Sequence, residues 1–446
     1  MIVDLILNRG KAYLNNKLVD CSLAIDQSRI FKIGKDPNMP QAERKIDLKN
    51  MIVLPGLIDA HVHLRDERNS YKENFYSGTA AAAAGGITTV LDMPNNDPVT
   101  MSTNTLKRRI EIARRKTLVN IGFYSEFPKN IEKSEEIIRE GATAFKLYLA
   151  ERIGGLNIDD DHILTEAFRI LSNMDVPVAV HAEDRKKMEE KKDQFRFCNH
   201  KDIQAFLEVH SEHVEASAIE RLVKVAGQTD VHLHVCHLSS ETGLKAVMDG
   251  KKNGVKITCE VTPHHLLLSV DDLMKLGGLS LTVPPVRAKS HAEVLWNALK
   301  REWIDIVASD HAPHTLDEKK SESIWDIKPG IPGLETTLPL LLNEIKHGRL
   351  SLTELVRLMS KNPARIFRLE GKGLLKEGND ADLTVVDLNK KFKINASKFY
   401  SKAEYSPFDG IHGEGKPVKT FIGGCLVMDE GEIVAKAGTG RVIERE

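Results

Sequence analysis

At 446 residues, with 41% hydrophobic and 28% charged side chains, the chain has the composition of a globular protein with a sizeable core, long enough for a barrel-sized domain. Lys and Arg (63) balance Asp and Glu (64), so no basic excess points to nucleic acid or to an anionic membrane surface. No apolar run is long enough to span a bilayer, MIVDLILNRG lacks a signal peptide's pattern, and five scattered cysteines form no C-x-x-C pair, so a reducing cytoplasm is expected.

Residues 1–50 read as short alternating strands, VDLILNRGKAYL, CSLAIDQSRIFKIG and KIDLKNMIVLPG, broken by turn residues as in antiparallel sheet. Over 51–371 the pattern changes to buried strand followed by amphipathic helix. Eight candidate strands end in polar residues: LPGLIDAHVHLR, ITTVLDMPNN, LVNIGFYSE, ATAFKLYLA, VPVAVHAED, DVHLHVCHLSS, VKITCEVTPHH and IDIVASDHAPH. Such alternation predicts an α/β fold, a (β/α)8 TIM-like barrel whose site lies at the C-terminal ends of the strands. Residues 372–446 return to short strands, and the two chain ends are expected to join as one small β-sandwich-like domain.

The strand ends carry the chemistry. His61 and His63 close the first strand, Lys146 the fourth, His181 the fifth, His237 the sixth and Asp310 the eighth. A His-x-His pair alone is a weak signal; six polar groups converging on one barrel mouth are not. Period-two parity places Leu57 and Asp59 inward with the first pair. On the fourth strand Ala142, Ala144, Lys146 and Tyr148 face inward, leaving Phe145 and Leu147 for the helices. On the sixth, Val231, Leu233, Val235 and His237 align, which sends His232 and His234 beneath the helices. On the eighth, Ile304, Ile306, Ala308 and Asp310 share a face. Four imidazoles and a carboxylate favour Zn²⁺ or a similar borderline ion over Mg²⁺ or Ca²⁺. A lysine among them is either carboxylated by CO₂, and able to bridge two metals, or an ordinary amine beside a mononuclear site; spacing leaves both open.

DAHVHLR, GTAAAAAGGITTVLDMPNN, AFKLYL, CEVTPHHLLL, ASDHAPHT, GIPGLETTLPLLL, KNPARIF and DADLTVVD together resemble the amidohydrolase superfamily, and within it the dihydroorotases. The resemblance implies two divalent metal ions, zinc in the first instance. His61, His63, carboxylated Lys146 and Asp310 would hold one, and His181 and His237 would share Lys146 around the other. It implies reversible hydrolysis of dihydroorotate to N-carbamoyl-aspartate, a step of pyrimidine biosynthesis, with Asp310 as proton shuttle. The carboxylate-binding groups would be Arg65, Asn95 and His314; the plainer readings are a strand-end charge, a turn residue and a loop histidine.

One departure is Val283-Pro284-Pro285, where many dihydroorotases have Asn-Pro-Pro; backbone near Val283, or Arg287, is the expected substitute. His264 and His265, read on the seventh strand, are left out of the site. Gly85 and Gly86 read as a turn requiring positive φ, Gly333 as a turn or a close approach to substrate, and Glu151–Asp161 as a flap or a static loop. Allantoinase or hydantoinase activity on a related ring is the alternative; a non-catalytic scaffold for aspartate transcarbamoylase is a further one. Self-association and a complex with aspartate transcarbamoylase are the macromolecular partnerships considered.

Overall fold

The computed structural model describes residues 2–443; Met1 and residues 444–446, at the outer ends of the terminal segments, lie outside them. Eight parallel strands form one sheet in chain order: β1 (Leu57–Val62), β2 (Ile87–Asp92), β3 (Asn120–Glu126), β4 (Ala142–Tyr148), β5 (Val178–His181), β6 (Leu233–Val235), β7 (Ile257–Val261) and β8 (Ile306–Val307). A parallel bridge from Val62 to His311 closes the ring between β1 and the segment after β8. Helices cover the outside because each crossover presents an apolar face, as Leu164, Ala167, Phe168 and Leu171 do in Asp161–Ser172. A single apolar cluster inside holds Ile58, Ala60, Leu91, Tyr124, Ala144, Ala179, Cys236 and Ile306, capped below by Ile366, Phe367 and Leu369.

The sheet from the chain ends holds nine strands among the described residues and has its own core, including Leu5, Leu23, Val53, Leu383 and Phe421. It is not wholly antiparallel. Gln41–Asp47 and Ile52–Pro55 both pair parallel with Ile2–Leu14, while Ile52–Pro55 pairs antiparallel with Leu383–Lys393. That last strand joins the two chain ends and carries the sheet to Pro55, five residues past the expected division. No helix among the described residues is long and apolar enough to cross a membrane.

Parity behaves as expected on β4 from Ala144 to Tyr148, but Ala142 lies in the outer cluster because a register shift intervenes before Ala144, and other strands depart further. On β6, Leu233 and Val235 pack in the cluster beneath the helices, whereas Cys236 lies inside and the His234 ring is 5.5 Å from Phe367. His237 reaches the site because its φ of 35° breaks the alternation. On β1, Leu57 belongs to the outer cluster and Ile58 to the inner one. A register shift between Asp59 and Val62 then resets the phase before His61 and His63. Ile304 likewise lies in the outer cluster and Ile306 in the inner one. His264 and His265 sit on a short helix, Pro263–Leu267, and not on β7. Gly86 has φ 81°, but Gly85 is needed for contact alone: a Cβ there would lie 2.0 Å from the Leu334 carbonyl oxygen.

Candidate metal centre and active site

The C-terminal strand ends surround a cavity of about 160 Å³ whose wall includes His61, His63, Lys146, His181, His237 and Asp310. All six are buried. Asp310 Oδ1 lies 3.4 Å from His61 Nε2 and 3.2 Å from His63 Nε2. On the other side His181 Nδ1 and His237 Nε2 are 3.0 Å apart, and the His61 and His237 rings, centroids 5.3 Å apart, join the two halves. Both His237 and Asp310 (φ 48°) hold backbone conformations that non-glycine residues adopt at a cost of roughly 1–3 kcal/mol, as does Arg65 (φ 57°).

The outward nitrogens of three imidazoles are occupied. His61 Nδ1 meets Glu260, His63 Nδ1 meets Asn95 Oδ1 at 2.7 Å, and His181 Nε2 meets Glu183 at 2.8 Å. Each acceptor holds the N–H of its ring and leaves the opposite nitrogen's lone pair facing the cavity, the arrangement of a histidine that binds metal. Burial, together with the nearby His181, Lys146 and His61, pushes His237 well down, and burial takes His63 to about 4, so both rings are neutral donors. Burial works to raise Asp310, but His61 and the hydrogen bond from His63 hold it below the usual carboxylate range. Four neutral or partnered imidazoles and an ionised carboxylate suit a borderline divalent cation. Ligand atoms of His61, His63 and Asp310 all lie within 4.8 Å of one another, as do those of His61, Cys236 and Glu260.

Lys146 is wholly buried, with Nζ 3.0 Å from Cys236 Sγ and 5.1 Å from the centre of the Tyr148 ring. Among the described residues it has no carboxylate partner. Tyr148 lines the cavity beside it, and its hydroxyl is buried without a hydrogen-bond partner.

Arg65 forms the adjoining wall. Its Nη2 is 3.4 Å from His314 Nε2, its Nε has no partner among the described residues, and its backbone carbonyl accepts from Arg109 at 3.0 Å. His314 stands behind it, with Nδ1 3.1 Å from Glu318 and 3.3 Å from Lys72. Asn95 is half-buried on the cavity wall, its oxygen serves His63, and its amide nitrogen has no hydrogen bond among the described residues. Val283 presents apolar surface to the cavity, but Arg287 does not replace the missing side chain. It does not line the cavity, and its Nη1 and Nε donate to the His210 carbonyl and to Ser239 Oγ, leaving Nη2 without a partner among the described residues. Gly333 approaches His311, not the cavity, donating to Nδ1 at 3.1 Å. The loop after β4 lines the cavity through Glu151 and Ile153 and is docked below, where Gly155 donates to the Phe127 carbonyl at 2.8 Å.

Sequence reading missed Glu260, Glu183, His210 and Tyr148's free hydroxyl. Glu183 also holds His210 Nδ1 at 2.9 Å, and Glu260 holds His234 at 3.2 Å. A signal for Glu260 existed: the one charged residue of the buried strand Ile257–Val261, between Cys259 and Val261 of the outer cluster, must face inward and find a partner.

The amidohydrolase family model matches residues 52–427. A dihydroorotase from Methanosarcina mazei is 37% identical over 99% of this chain and 98% of its own, and one from Methanothermobacter thermautotrophicus is 38% identical over 95% and 94%. Among solved structures, the L-hydantoinase (dihydropyrimidinase) of Arthrobacter aurescens superposes with a TM-score of 0.95 at 30% identity, covering 99% of this chain and all of that one.

Proposed function

The chain belongs to the amidohydrolase family, and we propose that it is a cyclic amide hydrolase of the dihydroorotase kind, opening dihydroorotate to N-carbamoyl-aspartate and closing it again. The observation that carries this reading is the Arg65 guanidinium, buried in the cavity wall, with His314 as its one side-chain hydrogen-bond neighbour and no partner for Nε among the described residues. A buried guanidinium with donors to spare fits a carboxylate, which it engages bidentately. Hydantoin and allantoin carry none; dihydroorotate does.

His61, His63, Lys146 and Asp310 would hold one metal ion, and His181, His237 and Lys146 the second, with zinc favoured by the imidazole-rich set. Lys146 supports the bridging role because it is wholly buried on the cavity wall between the two histidine pairs, with no carboxylate at ion-pair distance among the described residues. As the free amine it would add to CO₂, losing one proton and gaining an anionic carbamate. Divalent ions there would lower the pKa of a water and polarise the ring carbonyl. Arg65, Asn95 and His314 orient the ring by its carboxylate and ring amide. Asp310, ionised at rest, accepts the proton of the attacking water at a carboxylate oxygen and passes it to the departing ring nitrogen.

Val283 and the hydantoinase-like fold favour a second reading, an amidase for uncharged rings. Purified protein incubated separately with dihydroorotate, hydantoin and allantoin distinguishes them: turnover of dihydroorotate well above the other two is expected, and comparable or faster opening of either would overturn the assignment. Self-association and a complex with aspartate transcarbamoylase remain part of the proposal, to be tested by sedimentation of the protein alone and mixed with that enzyme.

A further inference from the structure

The barrel places Asp310 beyond β8 and leaves, at the end of β4, a polar group on the cavity wall that no step above employs. In a closed ring of eight strands, β4 lies four strands from β8 in either direction, so Tyr148, at the end of β4, faces across the lumen toward Asp310 beyond β8. The ring of Tyr148 is fixed from two sides. It covers Lys146 Nζ at 5.1 Å and stacks on the His181 ring at 6.5 Å with an interplanar angle of 29°. Only 7% of the residue is exposed, it lines the cavity, and its hydroxyl has no partner among the described residues.

A buried phenol normally finds an acceptor, because leaving the donor unmade costs about 1–3 kcal/mol. Here the remaining direction is the cavity, so the acceptor arrives with the substrate. Arg65 and His314 serve the carboxylate, Asn95 has its free amide for the ring, and Asp310 handles the proton. None of these supplies a protein donor to the oxygen of the carbonyl under attack. Resting on the cyclic amide hydrolase reading, we propose that Tyr148 is a catalytic residue whose hydroxyl donates a hydrogen bond to that oxygen as it gains charge.

The geometry suits the role. Proton acceptor and oxyanion donor stand on facing walls, so water delivered from the Asp310 side drives the carbonyl electrons toward Tyr148. A donor already fixed by stacking needs no reorganisation when the charge develops, and that preorganisation gives such donors their effect.

The test is Tyr148→Phe, which keeps the ring on His181 and Lys146 and deletes only the donor. The metal-loaded proteins, substituted and unsubstituted, are compared for kcat and KM in ring opening of dihydroorotate, for calorimetric affinity toward N-carbamoyl-aspartate, and for metal content. We expect kcat to fall on the order of 10²-fold, as when one oxyanion donor is removed, with KM, product affinity and metal content unchanged. A kcat near that of the unsubstituted protein would overturn the proposal. So would weaker product binding with kcat intact, which marks uniform binding, and so would loss of metal, which marks a positioning role. The unsubstituted protein is read first: if it opens no ring, the underlying reading fails and this one falls with it.

Discussion

Arg65→Lys tests the feature on which the substrate assignment stands. The guanidinium is buried, one Nη is beside His314 at 3.4 Å, and Nε is free, so two parallel bonds to a carboxylate are geometrically available. Lysine keeps the charge but offers a point donor, so about one charged hydrogen bond is lost. Such a bond contributes about 1.5–3 kcal/mol, which at about 1.4 kcal/mol per tenfold corresponds to a fall of roughly 10- to 150-fold in kcat/KM for dihydroorotate. The assay compares dihydroorotate with dihydrouracil, the same ring without the carboxylate, and N-carbamoyl-aspartate with N-carbamoyl-β-alanine by calorimetry. The loss should appear for dihydroorotate and N-carbamoyl-aspartate, which carry a carboxylate on the nitrogen-bearing carbon, and not for their partners, which lack it. Equal losses in both members would mean that Arg65 supports the shape of the wall, held there through its carbonyl by Arg109, and the carboxylate argument would be refuted.

Asp310→Asn keeps the size of the side chain and removes the proton acceptor; turnover should fall about 10²–10⁴-fold in both directions, and near-normal rates with full metal content would place the shuttle elsewhere. Glu260→Gln loosens the hold on His61 and His234, so metal affinity in a chelator competition should drop about 10–100-fold; unchanged affinity would make Glu260 a mere filler. Burial raises Glu335 to about 8 from 4.5, only partly offset by the Tyr400 and Ser401 amides that donate to it. The folded state therefore keeps this proton where the unfolded chain has lost it, and the stability it contributes declines as pH rises from about 4.5 through about 8. Glu335→Gln should melt with a shallower fall across that window, and identical pH profiles would show that Glu335 titrates alike in both states.

Much of the architecture was legible because it rests on local patterns. The switch from short alternating strands to strand-plus-helix units marks the barrel, and the positions of His61, His63, Lys146, His181, His237 and Asp310 at strand ends are enough to gather them around one cavity. The carboxylates behind the imidazoles were harder: His61 and Glu260 are 199 residues apart in the chain, and no local pattern pairs them.

Chain order, strand polarity and the inward face of β4 are determined by the sequence itself, since period-two alternation holds wherever a strand is regular and both faces are buried. Tertiary structure decided the rest. The register shift in β1 and the positive φ of His237 reset which side chains enter the lumen. The parallel seats of Gln41–Asp47 and Ile52–Pro55, both on Ile2–Leu14, are pairings distant in the chain that no local pattern specifies. A bulge or a strained φ is a local cost that only surrounding contacts can sustain. The side-chain pattern assumes it absent, and so it misassigned β6 and Ala142 at the start of β4 while reading β4 correctly from Ala144 onward.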